Sequence, residues 1–230
     1  MRFLLIFFLL FSSSAFAARP MLTDDARLVD AKCCQLETWV KENKDNTEYW
    51  ALPACNFTGN LELTVGGAMG KDNNDTETTD IVYQAKTLFK QLDKNGWGVG
   101  LVVGNVRHLQ INTESNVIGN LYAYVPTSFS FLDDRVVIHT NLGALHSKDE
   151  KHTYITWGLG SETELNSRTY LIGEVFGQNK ANPFYQLGIR YWLVPKHVQF
   201  DTTYGNRMND TSEERWFSIG FRLLSNPILP

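Results

Sequence analysis

The stretch from Gln186 to Gly205 alternates strictly. Leu187, Ile189, Tyr191 and Leu193 fall on one parity, with Gln186 and Arg190 on the other. After a break at Val194-Pro195-Lys196, Val198, Phe200, Thr202 and Tyr204 alternate with His197, Gln199, Asp201 and Thr203. A period of two marks paired antiparallel strands with one apolar and one polar face. Glu62, Lys86, His139, Glu174, Arg190 and Asp201 sit near the centres of such segments, on the polar parity of each. Turned toward hydrocarbon, a basic residue near mid-bilayer would cost about 2–4 kcal/mol. Several together would rival the whole stability of a domain, about 5–15 kcal/mol. These side chains therefore face a lumen or bulk water.

Twelve stretches of this kind follow one another, and no convincing amphipathic helix exceeds two turns. They run approximately over Gln35–Glu42, Glu48–Ala54, Asn60–Met69, Asp80–Lys90, Gly96–Arg107 and Val117–Thr127. The second half adds Arg135–Leu145, Thr153–Glu162, Arg168–Gln178, Phe184–Leu193, His197–Gly205 and Arg215–Leu224. The even-numbered joins are short ("CNFTG", "QLDKN", "SFSFLDD", "TELNS", "VPK"). From the third on, the odd joins are mostly longer and more polar ("GKDNNDTETT", "HLQINTESN", "HSKDEKH", "NKANP", "NRMNDTSEE"). Short turns at one end and longer loops at the other are the habit of outer-membrane barrels. The expected fold is all-β: a transmembrane, antiparallel, up-and-down barrel of about twelve strands. A secreted β-sandwich shares the alternation but gives no reason for the asymmetric joins.

In a barrel the apolar parity is the lipid face: Leu61, Leu63 and Val65; Val99, Leu101 and Val103; Leu121, Ala123 and Val125; Val136 and Ile138; Phe217, Ile219, Phe221 and Leu223. Phe89, Trp97, Tyr185, Tyr191 and Phe217 lie near strand ends, where aromatic girdles belong. Inward glycines, Gly98, Gly100, Gly104, Gly158 and Gly160, make room for bulky neighbours such as Tyr122, Tyr124, Tyr170 and Phe176. Arg222 joins Glu62, Lys86, His139, Glu174, Arg190 and Asp201 as a lumen-lining candidate.

The first residues, "MRFLLIFFLLFSSSAFA", read as a secretory signal peptide cleaved after Ala17, since the apolar run is too short to span a bilayer as a helix. The expected organisation is a signal peptide over 1–17, an N-terminal periplasmic or plug segment over 18–33, and a barrel over 34–230 in the outer membrane. A mildly negative mean hydropathy is compatible with this, because alternate residues cancel in any window. The formal net charge of −4, without a basic cluster, argues against a nucleic-acid partner. The cysteines are Cys33, Cys34 and Cys55, in a compartment where thiols oxidise. Pairing Cys34 with Cys55 puts the midpoint of the intervening chain at Lys44-Asp45, inside the turn-like "KENKDN". Cys34–Cys55 is thus the preferred cross-strand disulfide, with Cys33 as the alternative partner of Cys55.

Three stretches carry a resemblance: "RPMLTDDARLVDAKCCQLETWV", "YWALPACNFTGNLELTVGGAMG" and "QAKTLFKQLDKNGWGVGLVVG". They resemble a group of Gram-negative outer-membrane β-barrels regarded as transporters and related to the family named after the meta-pathway of phenol degradation. The likeness runs over most of the mature chain and is strongest in its first half. It implies a barrel more firmly than it implies a substrate. It also implies that Thr23-Asp24-Asp25-Ala26-Arg27 is an N-terminal segment tucked against or into the periplasmic mouth. There Asp24, Asp25 and Arg27 would form charge-assisted hydrogen bonds with Lys86, Arg190 and Arg222. The alternative is a flexible leader whose Asp–Arg pair contributes little.

Catalytic motifs are lacking. No Gly-x-Ser-x-Gly or His-Glu-x-x-His occurs. His139 and His152 have Ser147 and Thr153 nearby in sequence, but a hydroxyl so placed on a strand points away or lies out of reach. The five histidines lack metal-ligand spacing, and the acidic "KDNNDTE" lacks the glycine and terminal glutamate of a helical calcium loop. Asn56, Asn74 and Asn209 open Asn-x-Thr patterns that carry meaning only in a eukaryotic secretory pathway. The reading is non-enzymatic, without cofactor or metal. It is a passive channel or transporter for small solutes, hydrophobic or aromatic ones included, with membrane lipid and the barrel-assembly machinery as partners. The alternatives are a non-conducting structural or partner-binding barrel, a barrel hydrolase and a secreted sandwich.

Overall fold

The computed structural model describes residues 21–72, 77–109, 118–209 and 214–230. The signal-peptide reading of 1–17 lies outside them, as does most of the calcium-like run. Twelve strands follow in order: β1 (Cys34–Asn43), β2 (Asn46–Asn56), β3 (Glu62–Asp72), β4 (Glu77–Lys90), β5 (Trp97–His108) and β6 (Asn120–Phe131). The rest are β7 (Val136–Ser147), β8 (His152–Asn166), β9 (Thr169–Gln178), β10 (Phe184–Val194), β11 (Val198–Arg207) and β12 (Trp216–Leu224). Each pairs antiparallel with its sequence neighbours, and β12 closes onto β1 from Gln35↔Leu224 to Asn43↔Trp216. Closure leaves no strand edge, the backbone condition for life in hydrocarbon, where an unpaired amide finds no water.

Alternation sets the two faces. In β10 and β11, Leu187 is 57% exposed and Ile189 47%, while Arg190 is 6% and Asp201 0%. The outer surface of β12 is Phe217, Ile219, Phe221 and Leu223, all exposed, and Val65, Val103, Leu121 and Val125 continue the apolar jacket. Phe89, Trp97 and Tyr191 are exposed on it as well. This surface has no protein layer over it.

Two details of the sequence reading need correction. Strand β6 continues to Phe131 because the alternation does: Ser128 and Ser130 are buried while Phe129 and Phe131 are exposed. The chain then reverses through Leu132, Asp133 and Asp134, all with positive φ. The asymmetry of the joins is also smaller than the polar runs imply. Strands β7 and β8 pair as far as Ser147↔His152, so "HSKDEKH" contracts to a turn over 148–151. Strands β3 and β4 likewise pair as far as Lys71↔Glu77. Polar residues there extend the ladder instead of looping out.

Cys34 faces Cys55 in the β1–β2 register and is disulfide-bonded to it. Cys33, one residue earlier, is buried and free, because the pleat turns it to the other face.

The in–out assignment predicts unequal costs for one charge on β10. In bilayers, Ile189→Arg at mid-strand should lower the unfolding free energy by about 2–4 kcal/mol, and Val194→Arg at the strand end by about 0–1 kcal/mol. A urea titration followed by tryptophan fluorescence measures both.

Candidate functional site

The lumen of the half-barrel nearest Cys34 is occupied by residues 21–29 of a segment, 21–33, that belongs to no strand, with 30–32 exposed at the rim. Met21, Thr23, Asp24, Asp25, Ala26 and Val29 are buried in it. Its backbone is held by wall side chains. The Glu174 carboxylate accepts the N–H groups of Leu22 (2.8 Å) and Thr23 (2.7 Å). Ser128 Oγ accepts from Ala26 N at 2.8 Å. Glu62 accepts from Val29 N at 2.9 Å, and Asn56 Nδ2 donates to Val29 O at 2.8 Å. With its amide nitrogen toward Asp24 O (3.0 Å), Asn141 also accepts from Asp24 N (2.7 Å). Sequence explains the fit on β8: an added Cβ at Gly158 would lie 2.5 Å from Thr23 Oγ1, and at Gly160 2.1 Å from Met21 Cε. The space expected for tyrosines at these two glycines is taken by the segment. Tyr122 does lie over Gly104, whereas Phe176 stacks on Phe184, beside Trp216.

Ionic contacts form a second set. Lys86 Nζ lies 2.8 Å from Asp24 Oδ1 and 3.2 Å from Asp25 Oδ1, and Tyr124 donates to Asp24 Oδ2 at 3.1 Å. Burial alone would raise the Asp25 carboxyl, but Lys86, then Arg27 and His139, more than offset it and hold it at about 2. Glu162 is a hub: Arg190 Nη1 reaches it at 2.9 Å, His139 Nε2 at 3.6 Å and Arg27 Nη1 at 3.6 Å. Arg222 donates to Gln35 Oε1 from Nε (2.8 Å) and Nη2 (2.6 Å), with Glu37 at 3.5 Å.

All seven lumen candidates named from sequence lie inside the ring. Glu62, Lys86 and Glu174 contact the segment directly. His139 and Arg190 meet it through Glu162. Asp201 is fully buried opposite Arg190 in the β10–β11 register. Arg222 stands apart, beside β1. The sequence reading passed over Glu162, although it shares the parity of Gly158 and Gly160, and over Ser128, Asn141 and Gln35. Ser128 Oγ is 2.8 Å from His139 Nδ1, so a hydroxyl, an imidazole and a carboxylate do stand in line. That hydroxyl is completely buried and already accepts the Ala26 N–H.

Between the segment and β1–β4 lies a pocket of about 420 Å³, counting its open mouth, lined by Asp25, Arg27, Glu37, Glu62, Lys86 and Arg222 among others. Toward the opposite end the lumen turns apolar, with Trp50, Leu52, Val82, Val102, Val106 and Leu145 clustered and Trp39 stacked on Trp50 at 5.2 Å. No group of side chains fit to hold a metal ion occurs among the described residues.

A closed, apolar-jacketed ring of twelve strands with an ionic interior is the fold of outer-membrane porins. It is shared with the KdgM porin (TM-score 0.63, 9% identity, 82% of this chain and 98% of that one). It is shared too with the COG4313 outer membrane channel from Pseudomonas putida F1 (0.61, 8%, 87% and 98%) and the NanC porin (0.58, 10%, 83% and 98%). By sequence, the chain belongs to the family described as Uncharacterised conserved protein UCP029691, whose model matches residues 5–224. A comparison with curated proteins finds no match.

Removing one partner of a buried ion pair costs about 3–5 kcal/mol, so Lys86→Met should release the segment. Limited proteolysis of the folded barrel should cut within 21–31 in that variant and spare the unmodified chain and Arg222→Met. Acid should act through Asp25. Its pKa is lowered by docking, so its contribution is complete above the ordinary value of 3.8 and is lost as pH falls through about 2. Protection from an acid-active protease should follow that window.

Proposed function

We propose that the chain is an outer-membrane channel for small solutes whose conductance is set by its own N-terminal segment, residues 18–33, with 34–230 forming the barrel. One observation carries this reading. Part of the lumen is filled by a separate stretch of chain held by side-chain contacts, while the wall behind it is lined with ions, as in a pore that water fills. Wall residues Glu62, Lys86, His139, Glu174, Arg190, Asp201 and Arg222 line that pore, and Asp24, Asp25 and Arg27 latch the segment.

The porin fold supports the assignment, and one structure of the KdgM porin is a complex with disordered oligogalacturonate. By extension a small-molecule solute is the ligand here, and the apolar patch around Trp39 and Trp50 suits solutes with a hydrophobic or aromatic part. Residues 1–17 are the export signal and the outer membrane is the destination, with the barrel-assembly machinery as biogenesis partner. The resemblance of the three stretches to outer-membrane transporters related to the family named after the meta-pathway of phenol degradation supports a transport role. The function is read as non-enzymatic, in keeping with the porin and channel neighbours of the fold.

A second reading, a non-conducting barrel that stabilises the envelope or binds a partner, draws on the apolar cluster that fills part of the lumen. Planar bilayers separate the two. The full chain should give small or rare steps, and a variant lacking Ala18 to Ala31 larger and frequent ones. No steps from that variant, once heat-modifiable migration shows it folded, would leave the non-conducting reading standing.

A further inference from the structure

We infer that the groove filled by the segment also binds short free peptides, held by a free amino terminus on Glu174 and an acidic side chain on Lys86. The inference rests on the channel reading and names a solute class for it.

The first ground is what the wall reads in the segment. Asn141, oriented as above, takes both the N–H (2.7 Å) and the C=O (3.0 Å) of Asp24. Glu62 and Asn56 divide the same two groups of Val29 between them, at 2.9 and 2.8 Å. Ser128 takes the N–H of Ala26 at 2.8 Å. Any peptide without proline at these positions carries the same groups, whatever its sequence. Side-chain charge adds to this where Asp24 and Asp25 meet Lys86 at 2.8 and 3.2 Å. An acidic residue at either position of an incoming peptide finds the same ammonium. The pocket beside Asp25 and Arg27, with Thr64 and Gln84 in its lining, gives larger side chains somewhere to go.

The second ground is the far end of the groove. Both oxygens of Glu174 lie within hydrogen-bond distance of Leu22 N, at 2.8 and 3.1 Å, and one of them takes Thr23 N at 2.7 Å. In the segment that nitrogen is an amide, with one proton shared between two carboxylate oxygens. A peptide that begins there brings an ammonium instead, with three donors and a full charge. Glu174 thus fits the start of a chain better than a chain passing through. Desolvation of the amine offsets part of the attraction, which leaves a gain of about tenfold in affinity.

The test keeps the full chain and every wall side chain. Asp24→Lys/Asp25→Lys sets the segment against Lys86 and so releases it. If that variant does not fold, as judged by heat-modifiable migration, Asp24→Asn/Asp25→Asn takes its place. The probe is a synthetic peptide of residues 22–29 with a free amine and a fluorophore at its carboxyl end, read by anisotropy on the folded barrel in micelles. Binding should saturate, and N-acetylation should weaken it about tenfold. Adding Glu174→Gln should abolish the difference between the two peptides. A peptide of altered sequence that keeps the two acids should bind comparably. No saturable binding, equal binding of free and acetylated peptides, a difference that survives Glu174→Gln, or a need for the segment's own sequence beyond the acids would overturn the inference. Single-channel steps from the same variant judge the channel reading separately: their presence upholds it even where the peptide does not bind, and their absence sinks it.

Discussion

Everything in this structure follows from the absence of water at its outer surface. Backbone amides there bond only to other backbone amides, so the strands must close into a ring, and β12 lies on β1 along its whole length. Ionised side chains cannot leave by the outside, so every charge in the middle of a strand turns inward. The interior then has to solvate an excess of buried ions with little water. It does so with carboxylate–guanidinium pairs, amide side chains and the main chain of a segment borrowed from outside the barrel.

Parity made most of the fold legible. Once Arg190 and Leu187 are set on opposite faces, the assignment of all twelve strands follows, and the disulfide follows from the symmetry of Cys34 and Cys55 about Lys44-Asp45. Strand ends were less legible, because hydropathy fades where a strand leaves the apolar layer while pairing continues. Ser147 and His152 look like loop residues, yet they are partners in a ladder.

The site was legible only in part. Individual charges such as Lys86 and Glu174 stand out against their apolar neighbours in sequence. Their grouping does not, because it depends on a segment whose hydrogen bonds are mostly main-chain and leave no trace in residue type. Gly158 and Gly160 were the nearest thing to a signal. They mark a groove in the wall, and Glu162, two residues on, points into it. Reading a glycine pair as a seat for other chain, in place of room for a tyrosine, would have shown where the expected N-terminal segment sits and found its hub. Ser128 was hidden for a similar reason, since its partner His139 lies across a turn, eleven residues away.

The tether of the segment has its own consequence. Its root is pinned at the rim: Lys32 N–H donates to Asn56 O, Cys33 O accepts from Asn56 N–H, and the tail reaches back through Ile228 N–H and Leu229 N–H to Lys32 O. The disulfide fixes the strands on either side of that point. A displaced segment therefore never diffuses away. It stays within a few tens of ångströms of its seat, at an effective concentration in the millimolar range. If the segment gates the pore as proposed, openings are interruptions in a bound state, their length governed by how fast a leashed peptide finds its groove again.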